Sequence, residues 1–366
     1  MRVSQRWWLA RVVALMSLMA IVGAGPTGPV DPVAAASTSV ADALAGVRWE
    51  SMGGPPGAGY VRQMVQANDP SHTMYALTRT GVVASQTRGD TWEPVDELQG
   101  RWIGSMAVQG EDLVTCGQGV HRLGPTGLSQ LRSEYCAAVG VDAKTVVTAT
   151  ETGPPQHMHV WRLGTDGSWQ DISPPASLFS DLGDDGQTDA LPPGPIAAVR
   201  GAVLLFVRAV VEAQGVADSG LYRWDESDGS WARIELGQPD RVLPYRLITD
   251  PRRPRHVIAT FSDPVLHEVT HPVSTLAFES SDAGRTWRRV TNSNVRANAV
   301  TDVVDIGRAR YLLDPYGGFM LRLQGSSETV VPMPDVNGIG ASYGLGSILV
   351  DLQKPRYVYG AMGDAW

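Results

Sequence analysis

The chain has 366 residues, with 30 Lys and Arg against 38 Asp and Glu and a formal net charge of -8. This acidic balance excludes the basic surface that nucleic-acid binding requires. Forty Gly and 25 Pro interrupt short apolar runs, and the two Cys form no Cys-x-x-Cys metal motif, so the composition favours a long all-β protein and predicts no metal or cofactor.

The N-terminus has the pattern of an export signal. Arg2, Arg6 and Arg11 precede an apolar run, residues 12–24, that is short for a membrane span, and Ala34, Ala35 and Ala36 offer a cleavage site. We therefore predict a signal peptide over residues 1–36, a single domain over residues 37–366, and a secreted or envelope-associated protein. A retained membrane anchor and cleavage after Ala24 are the alternatives.

A hairpin with an aromatic residue at the start of its return strand recurs along the chain. The strands before it are almost continuously apolar, as in residues 203–207 and 257–260, which is typical of sheets covered on both faces. Copies of the hairpin end at Trp92, Trp169, Trp231 and Trp287, and two units without the tryptophan end near Leu128 and Val330.

Four-stranded repeats of about 40–50 residues are typical of β-propellers. The spacing of the hairpins predicts an all-β propeller of seven four-stranded blades, with six as the alternative. Val47 to Met52 has the pattern of a return strand without a hairpin before it, whereas residues 347–352 and 357–361 look like two opening strands without a return. We expect the N-terminal strand to complete the C-terminal sheet, which leaves no sheet edge bare.

The only two cysteines, Cys116 and Cys136, both lie around the second unit, which lacks the tryptophan. In an oxidising compartment they could form one disulfide there, although two separately buried thiols are the alternative, because two cysteines specify no distance.

Four long connections between predicted strands are expected on one rim of the ring. Strand direction alternates within a blade, so second-to-third and fourth-to-first connections leave from the same side. Long loops without structure of their own are often functional, which makes this rim the predicted working surface. The four connections are Thr150 to Met158, Ser173 to Pro195, Ala209 to Ser219 and Phe261 to Ser274.

The fifth unit carries the most complete hairpin motif, Ser280-x-Asp282-x-Gly284-x-Thr286-Trp287. The oxygens of Ser280, Asp282 and Thr286 can bond turn backbone that no sheet satisfies. Gly284 suits a position with φ > 0, and Trp287 begins the return strand with a large side chain to bury. The motif therefore predicts a structural turn.

This motif resembles the Asp-box, or BNR repeat, of bacterial sialidases, sortilin-type receptors, xyloglucanases and photosystem assembly factors. The resemblance implies a propeller over most of residues 47–366. It implies no catalytic residue, because the arginine pattern that sialidases carry is absent: the matching region reads Tyr60-Val61-Arg62-Gln63. In the resembling sialidases and xyloglucanases the rim with the long connections holds the substrate.

Two further motifs carry little weight. His267-Glu-Val-Thr-His271 spells the zincin signature, but that motif functions on a helix, and Pro264 and Pro272 bracket it here. The acidic run from Asp181 to Asp189 resembles a calcium loop, but it has Gly183 where an oxygen ligand belongs. We interpret both as solvent-exposed connections.

The sequence thus predicts a binding or scaffolding module for a glycan or an extracellular protein, with no catalytic residue and no role for nucleic acid. A membrane would be a partner only if the N-terminal segment were retained. The alternative is a sialidase-like or xyloglucanase-like glycoside hydrolase, which would use a pair of carboxylates from the long connections. The candidates for that pair are Asp181, Asp184, Asp185 and Glu212.

Overall fold

The computed structural model describes most of the chain between residues 61 and 362, together with two N-terminal strands. The described residues are 9–14, 47–51, 61–152, 157–175, 178, 193–207, 211–212, 215–216, 220–236, 243–250, 252–262, 277–290, 302–306, 309–314, 319–325, 327–332, 345–354 and 357–362. All statements below concern these residues.

The described residues form seven four-stranded antiparallel sheets and one separate two-stranded hairpin. The N-terminal strands are β1 (Leu9–Ala14) and β2 (Val47–Ser51). Blade 1 contains β3 (Val61–Gln66), β4 (Met74–Thr78), β5 (Gly81–Ser85) and β6 (Glu93–Pro94), and a 3-10 helix (Asp96–Leu98) follows it. Blade 2 contains β7 (Ile103–Gln109), β8 (Asp112–Gly117), β9 (Gly119–Gly124) and β10 (Gly127–Arg132). Blade 3 contains β11 (Ala138–Val141), β12 (Val146–Thr152), β13 (His157–Leu163) and β14 (Trp169–Asp171).

The remaining blades follow the same plan. Blade 4 contains β15 (Pro193–Val199), β16 (Ala202–Val207), β19 (Gly220–Asp225) and β20 (Ser230–Ile234), and the separate hairpin is β17 (Val211–Glu212) with β18 (Gly215–Val216). Blade 5 contains β21 (Leu243–Asp250), β22 (Arg253–Ser262), β23 (Ala277–Ser280) and β24 (Arg288–Arg289). Blade 6 contains β25 (Asp302–Ile306), β26 (Ala309–Asp314), β27 (Phe319–Gln324) and β28 (Ser327–Pro332). The C-terminal strands are β29 (Leu345–Val350) and β30 (Tyr357–Met362).

The first strands of neighbouring sheets contact one another around a closed circuit, β3, β7, β11, β15, β21, β25, β29 and back to β3. The prediction of an all-β propeller with four-stranded antiparallel blades is therefore confirmed. Six blades, numbered 1 to 6, are continuous segments of the chain, and the seventh sheet joins its two ends.

That closing sheet has the order β2-β1-β30-β29. Val47–Ser51 lies in it as expected, but as the outermost strand, and it reaches β30 only through Leu9–Ala14, which pairs with both. The sequence interpretation placed Leu9–Ala14 outside the fold because its charge and hydropathy match an export signal. Apolar residues that suit a signal peptide also suit a buried strand, so the pattern alone could not separate the two. The signal peptide and the domain limits 37–366 stay predictions.

Hydrophobic contact between blades accounts for the core. Seven clusters of buried residues each join two neighbouring sheets, and the cluster that closes the ring packs Tyr359 of β30 against Met74 and Val61 of blade 1. Fully burying side chains of this size is worth about 1.5–3 kcal/mol each. Each blade thus depends on both neighbours for its stability.

Polar side chains on the first strands link blade 1 to blade 2 and blade 2 to blade 3. Gln63 of blade 1 accepts a hydrogen bond from the Met106 amide at 3.1 Å and donates one to the Met106 carbonyl at 2.7 Å. Ser105 accepts from the Val139 amide at 3.1 Å. Since these bonds satisfy inner-strand backbone that has no sheet partner on that side, they fix the rotation of one blade against the next.

The strand order defines two faces of the ring. First-to-second and third-to-fourth connections leave from one, the hairpin face, which carries the motif of Ser280 to Trp287. Second-to-third and fourth-to-first connections leave from the other, the long-connection face. One long connection, residues 15–46 between β1 and β2 of the closing sheet, joins strand ends on the hairpin face. The other connections on that face are no longer than residues 67–73, 86–92 and 281–287, whereas five on the long-connection face span 172–192, 208–219, 263–276, 290–301 and 333–344.

One predicted insertion is wrong. Residues 150–158 were expected to form a long loop, but β12 and β13 pair as far as Thr152 with His157, which leaves only 153–156 as the connection. Val146–Thr152 ends in Thr-Glu-Thr, a polar run that reads like a loop although its threonines favour a strand. Most residues of the other three predicted insertions lie outside the described residues.

We expect closure of the last sheet to depend on the N-terminal strands. A chain that begins at Gly53 should expose the edge of β30, self-associate and unfold at a lower denaturant concentration than the full chain, because an open edge pairs with other chains. A chain that begins at Ser37 keeps β2 and lacks β1, and so separates the two contributions. Sedimentation and urea unfolding measure both effects. If the Gly53 chain were monomeric and as stable as the full chain, the closure would be wrong.

Candidate binding face

Asp282 organises the turn between β23 and β24 on the hairpin face. Its carboxylate accepts hydrogen bonds from the amides of Arg285 and Thr286 at 3.0 and 2.9 Å, from the Thr286 hydroxyl at 2.7 Å and from the Ser280 hydroxyl at 2.7 Å. Partial burial raises the pKa of Asp282, but the bonds from Thr286, Ser280 and Arg285 outweigh it and lower that pKa to about 2. The turn is therefore held by an ionised carboxylate.

Gly284 lies where this turn touches the preceding blade. Its φ is +80°, and a Cβ there would lie 2.7 Å from the Leu204 side chain of blade 4, so only glycine fits. The neighbouring Ala283 also has a positive φ of 63°, and its carbonyl accepts a hydrogen bond from Arg223 of blade 4 at 2.8 Å. The turn is thus docked on the preceding sheet, and its inner side is occupied by these contacts.

Trp287 completes the turn by donating from its indole nitrogen to the Gly284 carbonyl at 2.9 Å. Trp92 makes the same bond to Gly89 at 3.0 Å, and Thr87 takes the place of the aspartate by accepting from the Thr91 amide at 2.8 Å. The shorter hairpins differ. Trp169 and Trp231 donate instead to carbonyls of the preceding blade, Leu131 and Ile172.

The long-connection face carries a second ordered feature, at blade 2. The single-residue turn between β8 and β9 donates from the Gln118 amide to the Trp102 carbonyl at 3.0 Å, and the Gly117 carbonyl accepts from the Cys136 amide at 2.9 Å. Cys116 and Cys136 are joined by a disulfide with 5.2 Å between their Cα atoms. A Cβ at Gly117 would lie 2.0 Å from the Trp102 carbonyl. This turn therefore holds two connections in place, the one that contains Trp102 and the one that contains Cys136.

Those two connections present an aromatic pair to solvent. The rings of Trp102 and Tyr135 are stacked, with centroids 5.4 Å apart, and the residues are 45% and 48% exposed. Close by, the Arg101 guanidinium lies 3.2 Å from the His121 ring, and burial followed by the Arg101 charge lowers the pKa of His121. His121 is consequently neutral at pH 7.

Along the outer seam between blades 2 and 3 runs an open cavity of about 410 Å³. It is lined by Gln130, Leu131, Arg132, Ser133, Glu134 and Trp169. The Arg132 guanidinium lies 3.7 Å from the ring centre of Trp161 and 5.6 Å from that of Trp169, and its Nε lies 2.8 Å from the Glu134 carboxylate. The charge of Arg132 is therefore balanced within the site.

A cluster of charged side chains joins blades 5 and 6 but has no geometry for catalysis. The buried Glu279 is paired with Arg310, Arg288 and His256. Burial raises the pKa of Asp305, but the bonds from Arg310 and Arg253 outweigh it and lower that pKa. Burial, reinforced by Arg253 and Arg310, lowers the pKa of His256 to about 4. Since Arg310 and Arg253 keep the pKa of Asp305 low, that carboxylate is not suited to be the protonated acid of a glycosidase.

The carboxylates proposed for hydrolysis, Asp181, Asp184, Asp185 and the Glu212 side chain, lie outside the described residues, as does the sequence His267 to His271. Within the described part of the chain, no three His, Cys, Asp or Glu side chains are grouped to hold a metal ion. No helix in that part is long and apolar enough to cross a membrane.

No protein-family model matches this chain, and no curated protein matches it. Solved structures do. YCF48 from Cyanidioschyzon merolae aligns with a TM-score of 0.56 at 13% identity, over 84% of this chain and 94% of that one. The fold is that of a β-propeller.

Two further solved structures align to a similar degree. A catalytically inactive variant of virginiamycin B lyase from Staphylococcus aureus has a TM-score of 0.52 at 10% identity, over 84% of this chain and 96% of that one. YCF48 in complex with a D1 peptide has a TM-score of 0.51 at 13% identity, over 86% and 96%. At these identities the likeness shows the fold alone, so membership of the Asp-box superfamily stays a prediction.

The sequence interpretation singled out Cys116 and Cys136 but missed Trp102 and Tyr135. Neither aromatic residue belongs to the repeated hairpin, and a sequence does not show which aromatic side chains remain exposed. The available signal was the position of Tyr135 next to Cys136, because a disulfide in a short connection restrains the residues beside it.

Replacing Asp282 by Ala should lower the free energy of unfolding by about 1–3 kcal/mol at pH 7, because turn donors lose their acceptor. The folded pKa lies below the ordinary Asp value, so this contribution is present above about pH 4 and is lost as the pH falls toward 2. Urea unfolding of both proteins across this range measures it. Trp287→Ala, with a loss of about 3 kcal/mol from a cavity, should show no such pH dependence; the same loss for Asp282→Ala at pH 2 and pH 7 would refute the ionised turn.

Removing the disulfide in Cys116→Ala/Cys136→Ala should cost about 3 kcal/mol, given a separation of 20 residues. Urea unfolding with and without reductant is the measurement. Reductant should bring the natural protein to the level of the variant and leave the variant unchanged. A natural protein indifferent to reductant would contradict the bond.

Proposed function

We propose that this chain is an exported, non-catalytic β-propeller that binds a glycan or an extracellular protein through its long-connection face. The observation that carries the proposal is the asymmetry of blades 1 to 6: the longest connections that leave these blades, 172–192 and 263–276 among them, all join strand ends on that face. Neutral drift would lengthen exposed turns on both faces alike. In blades 1 to 6 the lengthening is confined to one face, and this supports a use for that face.

The composition of the two faces supports the same assignment. On the hairpin face, Asp282 and Trp287 make hydrogen bonds within the turn, and Gly284 packs against blade 4. On the long-connection face, Trp102 and Tyr135 stay exposed although they are held in place. Trp, Tyr and Arg are the residues most enriched at binding hot spots.

Export is the part of the proposal that rests on sequence. The three arginines before the apolar run and the small residues before Ser37 support it. After cleavage there the mature chain would keep β2 and lose β1. A disulfide between Cys116 and Cys136 is consistent with an oxidising compartment. A structure of YCF48 with a D1 peptide exists, and this supports protein binding as a use to which such a ring can be put.

Shortening residues 174–191 and 263–276 to tight turns should abolish partner binding and leave the melting temperature nearly unchanged, because the flanking strands, which end at Asp171 and Ser262 and resume at Pro193 and Ala277, are kept. Binding is measured by quantitative co-purification from the envelope and culture fluid of the source organism. The matched control replaces the exposed Glu111 and Lys144, which lie in turns of the hairpin face, by Ala. If binding survived both deletions, or was lost only in the control, the long-connection face would not be the binding surface.

A further inference from the structure

Three large hydrophobic residues are exposed in the described part of the chain, and two of them, Trp102 and Tyr135, form the stacked pair; Val330 is the third. Exposed aromatic surface is costly in water, and two rings that cover each other while keeping their outer surfaces free indicate a retained use.

The Trp102–Tyr135 pair is built as a rigid surface. The Trp102 carbonyl is fixed by the Gln118 amide, and its ring lies over Gly104, where a Cβ would come within 2.8 Å of it. Tyr135 is anchored by its neighbour Cys136 through the disulfide and the bond to Gly117. Because both rings are restrained beforehand, a ligand that stacks on them loses little conformational entropy in the protein.

Polar groups that are balanced in charge line the cavity, which reaches Glu134, the neighbour of Tyr135 in the chain. The adjacent cavity offers the amide of Gln130, the hydroxyl of Ser133 and the ion pair of Arg132 with Glu134. These groups both donate and accept hydrogen bonds. Since Arg132 is neutralised by Glu134, the cavity has no surplus positive charge for an anionic ligand.

These features select among ligand classes. A protein hot spot needs an apolar pocket that desolvates an anchoring side chain, and the lining here is largely polar. A sugar ring has one face of C–H groups and a rim of hydroxyls, so it can stack on an aromatic ring while its rim bonds to amide, hydroxyl and carboxylate groups. We propose that the Trp102–Tyr135 pair and the adjoining cavity bind a neutral pyranose oligosaccharide. This inference rests on the proposed function, since the pair lies on the same face.

The probes are cellohexaose, chitohexaose, maltohexaose and mannohexaose, titrated into the full chain and followed by calorimetry and tryptophan fluorescence. At least one should bind with a shift in emission. Trp102→Ala and Tyr135→Ala should each weaken that binding about tenfold or more, Trp102→Phe should weaken it less, and Val330→Ala should leave it unchanged. All variants should melt near the natural protein; if Trp102→Ala unfolds, Tyr135→Ala and Trp102→Phe provide the test.

The inference is overturned if none of the four oligosaccharides binds, or if one binds equally well to Trp102→Ala and Tyr135→Ala. The variant shortened at 174–191 and 263–276 separates this failure from that of the proposed function. If that variant loses the partner while no oligosaccharide binds at Trp102, the result supports the long-connection face as the binding surface and contradicts the saccharide site. If Trp102→Ala loses oligosaccharide binding and the deletions leave partner binding unaffected, the saccharide site is supported. The same result contradicts the proposal that a partner binds through the long connections.

Discussion

The constraint on which this structure depends is that no blade can bury its own faces. In Ala202–Val207 every residue is buried, and successive side chains belong to different cores: Val203, Leu205 and Val207 pack toward blade 3, whereas Leu204 and Phe206 pack toward blade 5. A strand points its side chains alternately to its two faces. A sheet of such strands is stable only between two others, and repetition of that requirement closes a ring.

Closure of the ring gives its two faces different roles. Because strand direction alternates, the tight turns and the long connections of blades 1 to 6 separate onto opposite faces. The hairpin face is occupied by bonds such as those of Asp282 and by the docking of Gly284 on Leu204, and it is used for stability. The connections on the other face can vary in length without disturbing the ring. The sheets therefore act as a frame, and we propose that the connections on the long-connection face carry the binding site.

Sequence predicted the frame well because its causes are local. Continuous apolar runs, Gly284 in its turn and the repeated tryptophan each reflect a backbone or packing requirement within a few residues. What depends on contact between distant segments was not accessible. The strand Leu9–Ala14 was read as an export signal alone, since hydropathy cannot tell a targeting segment from a strand that pairs with residues 357–361.

The candidate site shows the same division. The side chains of Cys116 and Cys136 attracted notice because cysteines in an exported chain suggest a bond. Trp102 and Tyr135 did not, since their exposure arises from the tertiary turn at Gly117 and Gln118. Residues 150–158 were overestimated as an insertion for the opposite reason, because polar residues can continue a strand when a partner strand is present.

The central claim is that partners meet the long-connection face, and one blade provides the test. Glu111 and Gln118 are both exposed and lie just before and just after β8, at opposite faces of the ring. A benzophenone side chain, which inserts into C–H bonds of proteins and glycans, can be placed at either position and irradiated in the source organism. The account predicts a cross-linked partner from position 118 and none from position 111. Cross-linking from 111 alone, or equally from both positions, would contradict it.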